Sequence, residues 1–401
     1  MYNIHSHYEN ISALAQRIVT QPKVAYLHPF GSTQPENVES IDLAGNDGPL
    51  LFCYDQEPLM PDFNRNLFKH AGRHRDDSGN LRYVILLNTE RSGDAKKEIL
   101  DEHNFVDCYY FFHALAAADW YRGYQYNSKL IEPGQRRIQK KYITFNRITG
   151  GARSFRSFFV AELARHGLLE HGHVSYSDTC PVYNNNYQES MIASATAYQL
   201  PHDYVQDSIQ QLNRVSFPLR IDHLNKPSIP NGSPTLSAVS ECMESFLHVV
   251  TETCYWENKE HLTEKIFKPI VARQPFLLLG CANNLRYLKD YGFKTFDSWW
   301  DESYDSIQDP VERLQAVVKI IKDLCSKSDA ELESLLVDMQ SVLDHNYNWF
   351  YNKDFLDSIW NELNQNLIGA VDTVRKKYDY LRQSDDGRQN IPGKIARSPT
   401  S

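Results

Sequence analysis

Three stretches of this 401-residue chain hold residue types that could do chemistry. The first is FCYDQEPLMPDFN (52–64), where an apolar run ends in Tyr54-Asp55-Gln56-Glu57-Pro58. Carboxylates at the carboxyl end of a strand can face a ligand crevice, and partial burial raises their pKa toward that of a working general base. Asp55 and Glu57 are the candidate bases, with Tyr54 and Gln56 beside them on the acceptor side. The bland alternative is a turn whose Asp and Glu act as hydrogen-bonded caps.

The second stretch is YITFNRITGGARSFRSFFVAEL (142–163), a strand leading into a Gly-Gly loop, with Arg153 and Arg156 at the start of a helix. A planar guanidinium matches phosphate geometry through two parallel hydrogen bonds. Two solvated arginines would look the same in sequence. The chain has no GxxxxGK[ST], so this is not a Walker loop.

The third stretch is HLTEKIF (261–267), with Thr263 as N-cap and Glu264 and Lys265 in the first turn. Unpaired N–H groups and the positive dipole end make a helix start an anion site, which Lys265 strengthens. Glu264, an acceptor only, suits the two hydroxyls of a ribose diol. A capped helix with a solvated Glu-Lys pair is the ordinary alternative. Pro269 lies inside the expected helix and either frees the carbonyl of Lys265 or ends a short first turn. A helix terminus contributes only ~0.3–1 kcal/mol and a charge-assisted hydrogen bond ~1.5–3, against about 8 for micromolar binding. Several stretches must therefore act together.

The elements that would position them follow from apolar patterning. Residues 23–30, 49–58 and 82–88 read as buried parallel strands, and 70–80 as a loop. Residues 128–141, SKLIEPGQRRIQKK, read as an interdomain linker. A second alternation follows, with strands at 142–146, 173–177, 246–252 and 275–281, the third ending at Glu252. Helices are expected over 154–169, with one apolar face at 155, 158, 159 and 163, and over 263–273. The Asn/Pro/Ser-rich segment 180–240 yields no assignment. After 310 the chain reads as helical, with a capping box of Ser328 and Glu331, and 384–401 reads as a disordered tail. The expectation is α/β, with two doubly wound, Rossmann-like domains facing a cleft, at 1–135 and 140–383, and helices at the C-terminal end.

Composition narrows the class. Hydrophobic residues make up 41% and charged residues 23%, as in a soluble globular protein. No run reaches the ~18 apolar residues needed to span a bilayer, and the N-terminus lacks the pattern of a secretion signal. Seven scattered cysteines without a CxxC pair suggest reduced thiols in a cytoplasmic setting and disfavour structural zinc. A net charge of −9 disfavours nucleic acid as partner, leaving one local basic cluster of Lys69, His70, Arg73, His74 and Arg75. The 24 Tyr, 19 Phe and 6 Trp would suit sugar or base stacking, but are more simply core and surface bulk.

In order and approximate spacing, the three stretches together resemble the α-1,3-fucosyltransferase family and its fucosyltransferase-like relatives, including bacterial and viral proteins. The family's Tyr-x-x-Glu followed by Pro-x-Phe-Asn is matched by Tyr54 to Glu57 and Pro61 to Asn64. Its Asn, short loop and Arg-x-x-Phe-x-x-x-Leu are matched by Asn146, Arg156, Phe159 and Leu163. Its Thr-Glu-Lys is matched by Thr263, Glu264 and Lys265, although His261 stands where the family often has Tyr. The resemblance implies a GT-B fold and an inverting, metal-independent glycosyltransferase without a cofactor, using a GDP- or UDP-linked sugar donor. It implies Glu57 as catalytic base and Asn146, Arg156, Thr263, Glu264 and Lys265 on the donor side, where Arg153 and Glu252 are placed as well. The acceptor would be a hydroxyl, of a carbohydrate first, and the setting cytoplasmic, that of a host if the chain is viral. Two alternatives stay open: transfer to hydroxymethylated DNA bases, and a non-catalytic sugar- or nucleotide-binding structural protein, against which Glu57 counts.

Overall fold

The computed structural model describes residues 6–19, 22–26, 49–72, 82–126, 129–221 and 238–389. Their strands are β1 (Lys23–Tyr26), β2 (Leu50–Tyr54), β3 (Val84–Asn88), β4 (Ser92–Gly93), β5 (Phe105–Tyr109), β6 (Lys140–Asn146), β7 (Gly172–Tyr176), β8 (Ser245–Thr251), β9 (Lys259–Glu260) and β10 (Phe276–Leu279). They form two four-stranded sheets, β1-β2-β3-β5 and β10-β8-β6-β7, and a two-stranded ribbon of β4 and β9. Every pair in the larger sheets is parallel, and the ribbon is antiparallel. The chain is thus α/β, as expected, because short apolar runs alternate with helical stretches. No helix among the described residues is long and apolar enough to cross a membrane.

By its internal contacts the chain divides into two compact units, the larger of Thr89–Lys97 and Phe111–Ile359 and the smaller of Ser6–Asn88, Glu98–Tyr110 and Trp360–Ser401. The boundary expected near 135–140 falls inside the larger unit. The linker reading of 128–141 is corrected. Arg136 is 1% exposed and donates from Nε to Ile131 O at 3.0 Å and from Nη2 to Ala272 O. The Ile138 N–H donates to Glu333 at 3.0 Å. Part of what reads as a solvated basic segment is packed into the larger unit, with Arg136 spent on backbone carbonyls, while Arg137 stays 76% exposed. Of the expected tail, 384–389 end the helix Lys353–Gln389, and 390–401 lie outside the described residues.

In the smaller unit β2 and β3 are buried along their whole length, as strands covered on both faces are. Phe105 stacks there on Phe52 at 6.3 Å and meets Phe68 edge-on at 6.2 Å. The described strands of this sheet follow sequence order. In the larger unit the order does reverse, with β7 on one side of β6 and β8 then β10 on the other. Such a reversal opens a crevice at the carboxyl ends of the two central strands, here β6 and β8.

The helix Phe155–Arg165 that follows β6 is buried at every position from Phe155 to Leu163, Arg156 and Glu162 included. The expected one-sided helix is therefore corrected. Segment 180–221, unassigned from sequence, supplies the cover as helices Tyr187–Tyr198 and His202–Leu212. Ser194 donates to Ser154, and Tyr204 stacks on Phe158 at 5.5 Å. The capping box at Ser328 and Glu331 is present as expected.

Candidate functional site

In the larger unit residues 146–156, 251–253 and 263–265 meet at the reversal between β6 and β8. Arg156, 3% exposed, donates from Nη1 to Ile148 O (3.0 Å), and from Nη2 to Thr251 O (2.7 Å) and Glu252 O (3.0 Å). It ties the loop after β6 to the end of β8. Burial, with Arg153 close by, lowers its pKa to about 9, which leaves it cationic at neutral pH. The guanidinium is thus committed to backbone rather than presented as the free fork expected from sequence. Its Nε–H is buried without a hydrogen-bond partner, as is Oδ1 of Asn146, the last residue of β6. Buried polar atoms are nearly always satisfied, so one donor and one acceptor unmet at a switch point mark a place for a polar ligand.

Because three buried carbonyls would lose a charged donor at ~1–3 kcal/mol each, Arg156→Met should cost at least about 3 kcal/mol of stability. Urea unfolding followed by tryptophan fluorescence measures it. A loss below ~1 kcal/mol would mean that these contacts are replaceable by water.

The helix expected over 263–273 is a 3₁₀ turn, Glu264–Ile266, followed by the short helix Phe267–Val271 with Pro269 at its centre. So short an element carries little dipole, and an anion held here would rest on side chains instead. Thr263 is the N-cap, its hydroxyl accepting from the Lys265 N–H at 3.4 Å. Glu252, fully buried, holds this turn, accepting from Thr263 N (3.2 Å), Thr263 Oγ1 (2.5 Å) and Thr253 N (3.1 Å). Burial raises its pKa, and Lys265 and Thr263 offset that only in part. Glu252 therefore positions Thr263. Lys265 Nζ sits 3.1 Å from Thr253 Oγ1, Thr263 Oγ1 and Glu264 Oε1 and is 32% exposed.

Glu264 is 16% exposed, with Oε2 3.7 Å from His113 Nδ1. Burial works against its charge, but Lys265 and His113 outweigh it and hold the carboxyl at about 2, so it is an anion at any working pH. His261 is fully buried, edge-on to the His113 ring at 5.4 Å, and burial keeps it neutral. Sequence reading missed His113 and Thr253; the rule that ligands gather beyond parallel strand ends would have flagged Thr253, two residues past β8.

Arg153 ends the 3₁₀ turn Gly151–Arg153 and is partly buried. The two glycines before it have a packing reason. A Cβ on Gly150 would lie 2.6 Å from the Tyr183 ring, and Gly151 has a φ of +57°.

In the smaller unit Tyr54 is 1% exposed and edge-on to Phe68 at 5.1 Å. It belongs to the core, which corrects its acceptor-side placement. Asp55, the next residue, is fully buried and accepts from Tyr8 Oη (2.8 Å) and from Tyr110 Oη. Gln56 Nε2 donates to Tyr8 Oη at 2.8 Å, and Glu57 is 9% exposed. The reading of Asp55 as a bound group in a turn fits better than that of a second cleft carboxylate. Of the basic cluster, Lys69 and His70 close the helix Pro61–Ala71, while Arg73, His74 and Arg75 lie outside the described residues.

Among the described residues no three His, Cys, Asp or Glu side chains are grouped to hold a metal ion. Compared with family models, curated proteins and solved structures, the chain matches none.

Proposed function

We propose that the chain is an inverting glycosyltransferase of GT-B type, moving a sugar from a GDP- or UDP-linked donor to a hydroxyl acceptor, first of all a carbohydrate. The observation that carries this reading is the convergence of residues 146–156, 251–253 and 263–265 at the β6–β8 switch point, through the hydrogen bonds of Arg156, Glu252 and Lys265. A nucleoside diphosphate has the complementary parts. Its phosphates suit Lys265 and Arg153, its ribose diol suits the ionised Glu264, and its remaining polar atoms suit Asn146 Oδ1 and Arg156 Nε–H. Arg156, Glu252 and Thr263 shape the crevice. Developing charge on the leaving phosphate would be met by Lys265, in a position fixed before the reaction. Glu57 is the proposed general base and would take the proton of the acceptor hydroxyl.

A nucleotide-release screen of sugar donors, with and without glycan acceptors or hydroxymethylated DNA, tests the activity. Lys265→Ala should weaken nucleoside diphosphate binding by about 1.5–3 kcal/mol, the worth of a charge-assisted hydrogen bond. Its fold should be unharmed, because the ammonium is one-third in solvent. Calorimetry with GDP and UDP reads the loss. Unchanged binding would remove the phosphate from this crevice.

A further inference from the structure

At the carboxyl end of the smaller unit's sheet, three segments distant in sequence close on one buried carboxylate. Asp55 follows β2, Tyr110 follows β5, and His7 and Tyr8 open the helix His7–Ile18. His7, Asp55 and Tyr110 are all 0% exposed. His7 Nε2 lies 2.7 Å from Tyr110 Oη and 3.8 Å from Asp55 Oδ2, and its ring is stacked on Tyr110 at 5.8 Å.

Counting donors and acceptors places the protons. Each phenol has one O–H, and both spend it on Asp55, Tyr8 on Oδ1 and Tyr110 on Oδ2. Each phenol oxygen must then accept from elsewhere: Tyr110 from His7 Nε2–H, and Tyr8 from Gln56 Nε2 at 2.8 Å. With both phenols donating to Asp55, the His7 proton belongs on Nε2. Burial foremost, then the Asp55 charge, raises both phenol pKa values, so neither proton leaves at a working pH.

Such an arrangement is a poor device for stability alone. A buried carboxylate pays heavily for desolvation, and among the described residues no Lys or Arg pairs with Asp55 to offset it. Apolar residues of similar size would hold the three segments together at least as well. What a satisfied polar network adds is one geometry, because every member fixes the direction of the next. That geometry ends at Gln56, the residue before Glu57.

We propose that His7, Tyr8, Asp55 and Tyr110 are positioning residues, a buried anchor that fixes the 55–57 backbone and thereby aims Glu57. This rests on Glu57 being the base in the proposed function. Sequence patterning gave no sign of it, since nothing marks His7 and Tyr8 as neighbours of Asp55.

Tyr8→Phe and Tyr110→Phe each remove one oxygen and keep the ring. Each should lower kcat at least tenfold while KM for donor and acceptor stays within twofold. In a Glu57→Gln background the same changes should leave the residual turnover within twofold, because the phenols act only through Glu57. Independently of any activity, hydrogen exchange at amides 55–57 should quicken at least tenfold while β2 keeps its protection. If Tyr110→Phe does not fold, Tyr8→Phe, which is part-exposed, carries the test. Full kcat in Tyr8→Phe with unchanged exchange at 55–57, or an equal loss in the Glu57→Gln background, would overturn the anchor. An active Glu57→Gln enzyme would instead overturn the base, and quickened exchange at 55–57 would still stand.

Discussion

Replacing Glu57 by Gln should lower turnover at least a hundredfold while nucleoside diphosphate affinity stays within a few-fold. A positioned general base contributes ~10²–10⁴-fold, and the amide keeps the shape and hydrogen-bonding reach of the carboxyl while losing its capacity to take a proton. Glu57 is 9% exposed and stands two residues past Asp55, whose side chain is pinned by two phenols, so the isosteric change should leave the strand end undisturbed. Donor affinity should hold because the residues assigned to it, from Asn146 to Lys265, all belong to the larger unit, and Glu57 to the smaller. A loss in kcat with KM for donor unchanged is the signature of an interaction made in the transition state alone. Steady-state kinetics by nucleotide release, set beside calorimetry of GDP or UDP binding, reads both. Wild-type turnover in the variant would take Glu57 out of the mechanism.

What was legible in the sequence was what depends on local pattern. The runs LLFCY, VILLN, SFLHVVT and FLLL read as strands because both faces of each are covered and apolar residues are continuous. FVDCY did not, because Asp107 breaks the run; in the fold it accepts from Asn88 Nδ2 at 2.8 Å on the neighbouring strand. Strand order was not legible at all, and it is the order that separates the reversing sheet from the sequential one. Charged residues misled in one consistent way. Arg136 looked like linker, and Arg156 like a free phosphate fork, because sequence reports a charge and not its partner. Both guanidiniums turn out to serve backbone carbonyls. Glu252, by contrast, was placed on the donor side; in the fold it is buried just past β8 and supports Thr263.

The largest stability effect should come from a residue between the strand expected at 246–252 and the helix expected over 263–273. Lys259→Met should destabilise the larger unit by about 3–5 kcal/mol, the cost of breaking a buried ion pair from one side. Lys259 Nζ lies 3.1 Å from Glu90 Oε2, with side-chain exposures of 1% and 0%. The pair lies under the β4–β9 ribbon, where Gly93 is required: a Cβ there would come within 2.7 Å of both Lys259 and Glu90. Lys96 closes the turn by donating to Glu90 O at 2.9 Å. Methionine fills the space of the lysine stem but leaves the Glu90 carboxylate buried without its cation. Adding Glu90→Gln should therefore restore most of the lost stability, since neither member of the pair then carries a charge. Arg286→Ala is the surface counterpart. Arg286 reaches Glu260 on the same ribbon at 2.8 Å but is 63% exposed, and its loss should cost under ~1 kcal/mol. Urea unfolding of the three variants separates the cases, and a Lys259→Met cost no greater than that of Arg286→Ala would mean that the pair is solvated. Lys259 also stands four residues before Thr263, so the variant should loosen the turn that carries Lys265. Its nucleoside diphosphate affinity should fall with its stability and return in the double variant, which ties the ribbon to the crevice it supports.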